Sequence, residues 1–232
     1  MIISGFQKLT LVDYPGHTAC ILFTQGCNFK CPYCHNSDLI KGTNNSNRID
    51  EQVVFDYLDK RKGLIDGVCI SGGEPLLQKD IELFIKKIKE KGYKVKLDTN
   101  GSRPSILSKL IDSNLVDYVA MDVKNTFLKY NTTTNTTTNI EDVKKSIELL
   151  KNSNIDYEFR TTIVKELHNL SDIEEILNYL GPNVKFYIQN YRECENVLEK
   201  NLTGFSDDEL LNIKEKLEKQ FPNIVIRGRG KR

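Results

Sequence analysis

Short β-branched runs alternate with amphipathic segments along this chain, and that alternation is its strongest constraint on fold. Strands are expected at Ala19–Thr24, Gly67–Ser71, Val95–Thr99, Tyr118–Asp122, Tyr157–Val164 and Val184–Gln189, with a further one at Asn223–Arg227. Between them, Ile81, Phe84, Ile85 and Ile88 recur at the i, i+3, i+4, i+7 spacing of a helix face, and Gly92 follows as a stop. Pro104 is placed to open a helix carrying Ile106, Leu107, Leu110 and Ile111. Ser171-x-x-Glu174 and Ser206-x-x-Glu209 read as capping boxes, each followed by an apolar helical pattern. Such alternation implies a mainly parallel sheet with helices outside it. Eight strand–helix units close a full barrel at about 250 residues. About six units in 232 residues imply an α/β fold of the incomplete (β/α)6-barrel type. Ligand chemistry in such folds gathers at the C-terminal ends of the strands.

Length and charge narrow the possibilities. The chain is read as a single domain over residues 1–232, large enough for a real core. Lys+Arg 33 against Asp+Glu 32 leaves a net charge of +1, which gives no electrostatic reason to expect a nucleic-acid or anionic-membrane partner. No apolar run approaches the ~20 residues of a membrane span, and Met1-Ile2-Ile3-Ser4 lacks the regions of a signal peptide. The 6 cysteines do not read as a disulfide framework. Cys20 and Cys69 lie inside apolar strand-like runs, and Cys194 is far in sequence from any partner, so all three are expected to be structural. A reducing cytoplasm is the expected setting. The low-complexity polar stretch Asn131–Asn139 is expected to be a mobile loop shaped by drift, and the basic tail from Arg227 to Arg232 a solvated end.

The chemistry concentrates in Gly26-Cys27-Asn28-Phe29-Lys30-Cys31-Pro32-Tyr33-Cys34-His35-Asn36. Its spacing is Cys-x3-Cys-x2-Cys, with no fourth cysteine nearby. Iron–sulfur clusters are normally held by four thiolates. A close-set triad can hold a cubane on three irons and leave the fourth open for a ligand, for which S-adenosylmethionine is the natural candidate. A structural zinc site is the rival, but it needs four ligands, and His35 directly adjoins Cys34. Ser71-Gly72-Gly73-Glu74-Pro75 follows an expected strand. Its two glycines allow a close backbone approach to a ligand, and Glu74 can accept a charge-assisted hydrogen bond from a ligand ammonium. By itself the motif could also be a tight turn. Arg160 lies within an expected strand, where an unpaired guanidinium is costly to bury. A bidentate contact to a carboxylate would satisfy it better than a pair with Glu158 on the same strand.

The cysteine triad resembles the signature of the radical S-adenosylmethionine superfamily. Ile3-Ser4-Gly5-Phe6-Gln7-Lys8, Leu11-Val12-Asp13-Tyr14-Pro15-Gly16 and Phe23-Thr24-Gln25-Gly26-Cys27, running on to Cys34-His35-Asn36, resemble the activating proteins of anaerobic ribonucleoside-triphosphate reductase. That resemblance implies a [4Fe–4S] cluster on Cys27, Cys31 and Cys34, with S-adenosylmethionine beside it. It implies that Gly72, Gly73 and Glu74 meet the methionyl amino group and that Arg160 meets the carboxylate. Tyr33 would lie near the adenine, although ordinary loop packing would also explain it. Asn100 and Lys124 would contact the cofactor, and His35 and Asn36 would shape the loop. Relatives of the pyruvate formate-lyase activase type imply a monovalent cation on Asp98, Thr99 and Asp122 with the Ala120 carbonyl. Gln189 stands where that activase uses a histidine, and is expected as a polar cofactor contact. No side chain beyond the cluster and cofactor is expected to be catalytic.

The implied reaction begins with flavodoxin or ferredoxin reducing the cluster. S-adenosylmethionine is then cleaved to methionine and a 5′-deoxyadenosyl radical, which takes hydrogen from a glycine Cα of the anaerobic reductase. The alternatives are another glycyl-radical enzyme as target, such as pyruvate formate-lyase, a small-molecule radical reaction of the deazapurine type, or a plain iron–sulfur electron carrier. The ferredoxin-type insert of some activases would need more cysteines than the three outside the triad.

Overall fold

The computed structural model describes residues 1–41 and 48–228. Its strands are β1 (Ile3–Thr10), β2 (Ala19–Thr24), β3 (Gly67–Gly72), β4 (Lys94–Thr99), β5 (Tyr118–Asp122), β6 (Asp156–Ile163), β7 (Phe186–Asn190) and β8 (Ile224–Arg227), and its helices include α1 (Ser37–Lys41), α2 (Glu51–Lys60), α3 (Ile81–Glu90), α4 (Pro104–Asp112), α5 (Tyr130–Thr134), α6 (Ile140–Lys151), α7 (Leu170–Leu180) and α8 (Asp207–Leu217). They form one mainly parallel sheet ordered β1-β2-β3-β4-β5-β6-β7-β8, open at its two edge strands. This is the expected α/β incomplete barrel. Two strands match their expected bounds and five shift at their ends by one or two residues, while β1 was not anticipated. Only its end residues Ile3 and Thr10 are buried, without the alternation that would reveal a strand.

Contacts divide the chain into two compact units. The first comprises Met1–Asn28, Asp38–Ala120 and Asp142–Asp156. Here β1 pairs antiparallel with β2, while β2–β3 and β3–β4 are parallel, with Ala19 opposite Gly67 and Gly67 opposite Lys94. The strands read as nearly continuous apolar runs because both faces are covered. Cys20, Leu22, Cys69, Ile70, Val95 and Leu97 have no solvent exposure. Helix α3 (Ile81–Glu90) buries the expected Ile81, Phe84, Ile85 and Ile88. Helix α4 (Pro104–Asp112) begins on its proline and buries Leu107 and Leu110.

The second unit comprises Phe29–Ser37, Met121–Glu141 and Tyr157–Arg232. In it β6–β7 and β7–β8 are parallel. Helix α8 (Asp207–Leu217) carries the expected Ser206/Glu209 capping box. The other box is corrected. Helix α7 (Leu170–Leu180) is capped by Asn169 and Asp172, whose side chains bond reciprocally to each other's backbone N–H groups, and Ser171 lies inside the helix. The stretch Asn131–Asn139 is also corrected, because it is not a loose loop. Helix α5 (Tyr130–Thr134) begins just before it, Thr133, Thr134 and Thr138 are buried, and Asn135 ends the helix in the left-handed region at φ 49. The threonine hydroxyls bond to one another, so the polar stretch has somewhere to bury them. Arg229 to Arg232 of the basic tail lie outside the described residues. Among the described residues no helix is long and apolar enough to cross a membrane.

Candidate active site at the strand C-termini

In the first unit, the ends of β2, β3 and β4 are laced together by backbone. The Gly73 N–H donates to Thr24 O at 2.9 Å, and the Glu74 N–H to Gly26 O at 2.8 Å. A Cβ on Gly73 would lie 2.1 Å from Gly26 O; one on Gly72, whose φ is +114, would lie 2.3 Å from Thr24 N. These glycines are therefore required by the chain leading into Cys27, whatever ligand they also meet. Glu74 is completely buried. Its Oε1 accepts from the Leu76 N–H at 3.0 Å and the Thr99 hydroxyl at 2.8 Å, and its Oε2 accepts from the Asn100 N–H at 2.7 Å. The carboxylate expected to meet a ligand ammonium is thus engaged by three donors of its own chain. Asn100 in turn directs Nδ2 at the Cys27 sulfur, 3.9 Å away, and bonds Asn28 Oδ1 at 3.0 Å.

Asp98 faces the same strand ends but is already paired. Lys96, which is buried, forms an ion pair with its Oδ1, and the Ser71 hydroxyl donates to Oδ2 at 3.0 Å. A monovalent cation on Asp98 would have to compete with that ammonium. Thr99, the second expected cation ligand, uses its hydroxyl proton on Glu74 and accepts from the Gly101 N–H at 3.1 Å.

In the second unit, Cys31 and Cys34 form a turn closed by Cys34 N–H to Cys31 O at 3.0 Å. Burial pushes both thiols up, and the Lys124 ammonium acts against that shift at each. Burial also disfavours the Lys124 ammonium itself. Asp122, Cys31, Tyr33 and Tyr130 together outweigh this and hold the group well above its ordinary value. Asp122 is a shared acceptor: Lys124 Nζ lies 3.2 Å from Oδ2, and Arg160 Nε donates to Oδ1 at 2.9 Å. The third expected cation ligand therefore already carries two cations. Arg160 pairs with Asp122, and Glu158, its rejected partner, pairs with Arg227. Gln189 Oε1 accepts from the Thr162 hydroxyl at 3.3 Å. His35 stacks on Tyr191 with centroids 5.5 Å apart, and its Nε2 lies 2.7 Å from Arg192 O, which suits the loop-shaping role.

Two residues of this unit escaped the sequence reading. The His168 ring is buried: Nδ1 accepts from the Val164 N–H at 3.2 Å, so Nε2 carries the proton and donates to Lys124 O at 2.8 Å. Burial lowers its pKa, so the ring is neutral. Tyr130 accepts from the Lys124 N–H at 3.4 Å. A lone histidine beside a helix cap carries no sequence signal of such a role. Tyr33 packs edge-on to His168, with centroids 6.3 Å apart. Its hydroxyl is buried without a hydrogen-bond partner among the described residues.

Each unit thus brings cysteine sulfur and polar side chains together in an α/β incomplete barrel. The chain matches the Radical SAM superfamily over residues 21–180, more than half its length, and belongs to that superfamily. A Methanocaldococcus jannaschii protein, provisionally named a glycyl-radical enzyme activating enzyme, is 36% identical over 233 aligned residues, covering 97% of this chain and 95% of the relative. The pyruvate formate-lyase-activating enzyme of Staphylococcus aureus is 42% identical over 107 residues, covering 43% of this chain and 41% of that enzyme. The fold resembles Streptococcus suis SuiB bound to S-adenosylmethionine, with a TM-score of 0.64 at 18% identity. That match takes in 90% of this chain but 52% of SuiB, so the chain spans about half that protein's length.

Members of the superfamily bind a [4Fe–4S] cluster and S-adenosylmethionine. Within neither unit do three His, Cys, Asp or Glu side chains among the described residues gather as a site for a single metal ion. The soft donors are the cysteine sulfurs, with Asn100 aimed at one and the Lys124 charge favouring thiolate at the other two. The unpartnered Tyr33 hydroxyl is a donor that a bound group would satisfy.

Proposed function

We propose that this chain is a glycyl-radical activating enzyme whose target is anaerobic ribonucleoside-triphosphate reductase. The observation that carries the activating-enzyme reading is coverage, while the choice of target rests on the N-terminal motifs. The M. jannaschii relative aligns over nearly its whole length, whereas the pyruvate formate-lyase-activating enzyme aligns over less than half of either chain. The N-terminal motifs from Ile3 to Cys27, which resemble those of reductase-activating proteins, support the reductase as the target. Cys27, Cys31 and Cys34 would hold the cluster. The backbone at Gly72 and Gly73, with Tyr33, Asn100, Lys124, Arg160 and Gln189, would receive S-adenosylmethionine. When bound, these groups supply one-electron cleavage of the sulfonium and removal of hydrogen from a glycine Cα.

The protein's own part is to orient and shield. Glu74 fixes the turn that carries the glycines, and Asp122 keeps Lys124 charged and holds Arg160 by an ion pair. A glycine target suits such a site because a loop without a side chain can thread into it. Flavodoxin or ferredoxin would serve as electron donor. Cys20, Cys27, Cys31, Cys34, Cys69 and Cys194 are all free thiols.

The assay is electron paramagnetic resonance of the reductase after incubation with the reduced protein and S-adenosylmethionine. A glycyl doublet is expected, losing its main splitting when the glycine is deuterated at Cα. Cofactor cleavage with no doublet on the reductase, but activation of a pyruvate formate-lyase homologue, would replace the target.

A further inference from the structure

The threonine-rich stretch is a motif that the proposed reaction does not use, yet it is built into the second unit with care. Thr134 Oγ1 lies 3.1 Å from Thr138 Oγ1 and 3.2 Å from Thr136 Oγ1, and the remaining pair is 3.5 Å apart. Asn131 ties the segment's two ends, its Oδ1 accepting from the Thr138 N–H at 2.8 Å and its carbonyl from the Asn135 N–H. Asn125, itself buried, donates to Thr133 Oγ1 and to Leu167 O, both at 2.9 Å. A hydroxyl is both donor and acceptor, so the three can bond to one another. Threonine does this with a stiff χ1, at less entropic cost than serine.

Two sets of contacts lead out of this cluster. Thr134 O accepts from the N–H of Lys30, the residue before Cys31, at 2.8 Å. The Tyr130 ring meets Phe29 edge-on at 6.2 Å, while its hydroxyl takes the Lys124 N–H. One short segment therefore holds the backbone on the N-terminal side of Cys31 and the backbone of the lysine whose charge bears on Cys31 and Cys34.

We propose that Tyr130–Thr138 is a positioning element, a hydroxyl-bonded buttress that fixes the Cys31 end of the cysteine loop and the Lys124 backbone. It rests on reading that loop as the cluster loop. On this view the Asn-Thr repeat reflects a need for buried hydroxyls at Thr134 and Thr138, with half-buried Thr136 bonded to Thr134, rather than drift.

The test is Thr134→Val in the full chain, which keeps shape and removes the central hydroxyl. Amide hydrogen exchange on the cluster-free protein should show the Lys30 amide exchanging about tenfold faster or more, with Ile70 in β3 unchanged. Thr134→Ser should restore wild-type protection at Lys30. After reconstitution, a chelator should strip iron several-fold faster from Thr134→Val than from Thr134→Ser. If Thr134→Val does not fold, Thr138→Val is read in the same way. Unchanged protection at Lys30, with faster exchange confined to Thr136–Thr138, would overturn the proposal. If the wild-type protein takes up no cluster, the exchange measurement still decides the buttress, and it is the cluster reading that fails.

Discussion

Glu74→Gln separates two roles for the same carboxylate. The side chain is fully buried, with Leu76 N–H and the Thr99 hydroxyl on Oε1 and the Asn100 N–H on Oε2. Glutamine has the same shape and keeps one carbonyl oxygen for the first two donors. It then turns an NH2 group toward the Asn100 N–H, and donor faces donor. A hydrogen bond to a charged acceptor contributes about 1.5–3 kcal/mol, and a buried donor left unsatisfied costs a similar amount. The variant should therefore lose about 2–3 kcal/mol. For a chain of this size each kcal/mol lowers Tm by about 2–4 °C, giving a fall of roughly 4–12 °C. Glu74→Ala strands all three donors and should fall further. The assay is anaerobic thermal unfolding of cluster-free protein by circular dichroism, where no ligand can contribute. A variant that melts with wild type, yet binds S-adenosylmethionine about tenfold more weakly after reconstitution, would refute the reasoning and place the carboxylate against the ligand.

Other outcomes follow from the same geometry. Ala at Cys27, Cys31 or Cys34 should abolish iron and sulfide uptake, while Cys69→Ala, remote from the thiolate loop in sequence, should retain both by chemical analysis. Arg160→Ala leaves Asp122 with Lys124 and should keep the cluster, while titration shows S-adenosylmethionine affinity falling about tenfold. Because Lys96 already occupies Asp98, exchanging potassium for a large organic cation should leave cofactor cleavage unchanged; a strict potassium requirement would show that a metal ion displaces the lysine. His168 has a folded pKa lowered by burial from 6.5, so the unfolded chain binds its proton first. Its stabilising contribution should be complete above about pH 6.5 and decline as pH falls through the lowered folded value. His168→Gln should flatten that part of a denaturant-derived stability profile.

The elements legible in the sequence are those whose cause is local. The i, i+3, i+4 pattern of α3, Pro104 at the start of α4, the Ser206/Glu209 cap and the apolar runs of β2 and β5 each follow from a few adjacent residues. The cysteine triad is local too, because its spacing is the chemistry. What only the tertiary structure decided involves partners distant in the chain. Ser171 and Asn169 are both competent caps, and the second is used, with its box partner Asp172 paired to Lys129, 43 residues away. Arg160 could be seen to need an acceptor, but Asp122 lies 38 residues away. Glu74 was recognised by its motif, yet its engagement depends on Thr99 and Asn100, brought beside it by the pairing of β3 with β4. The Asn-Thr repeat has no apolar residue to bury and reads as loop by composition. It becomes part of the core because its hydroxyls find one another and Lys30 finds Thr134 O, bonds that exist only once the backbone around them has folded.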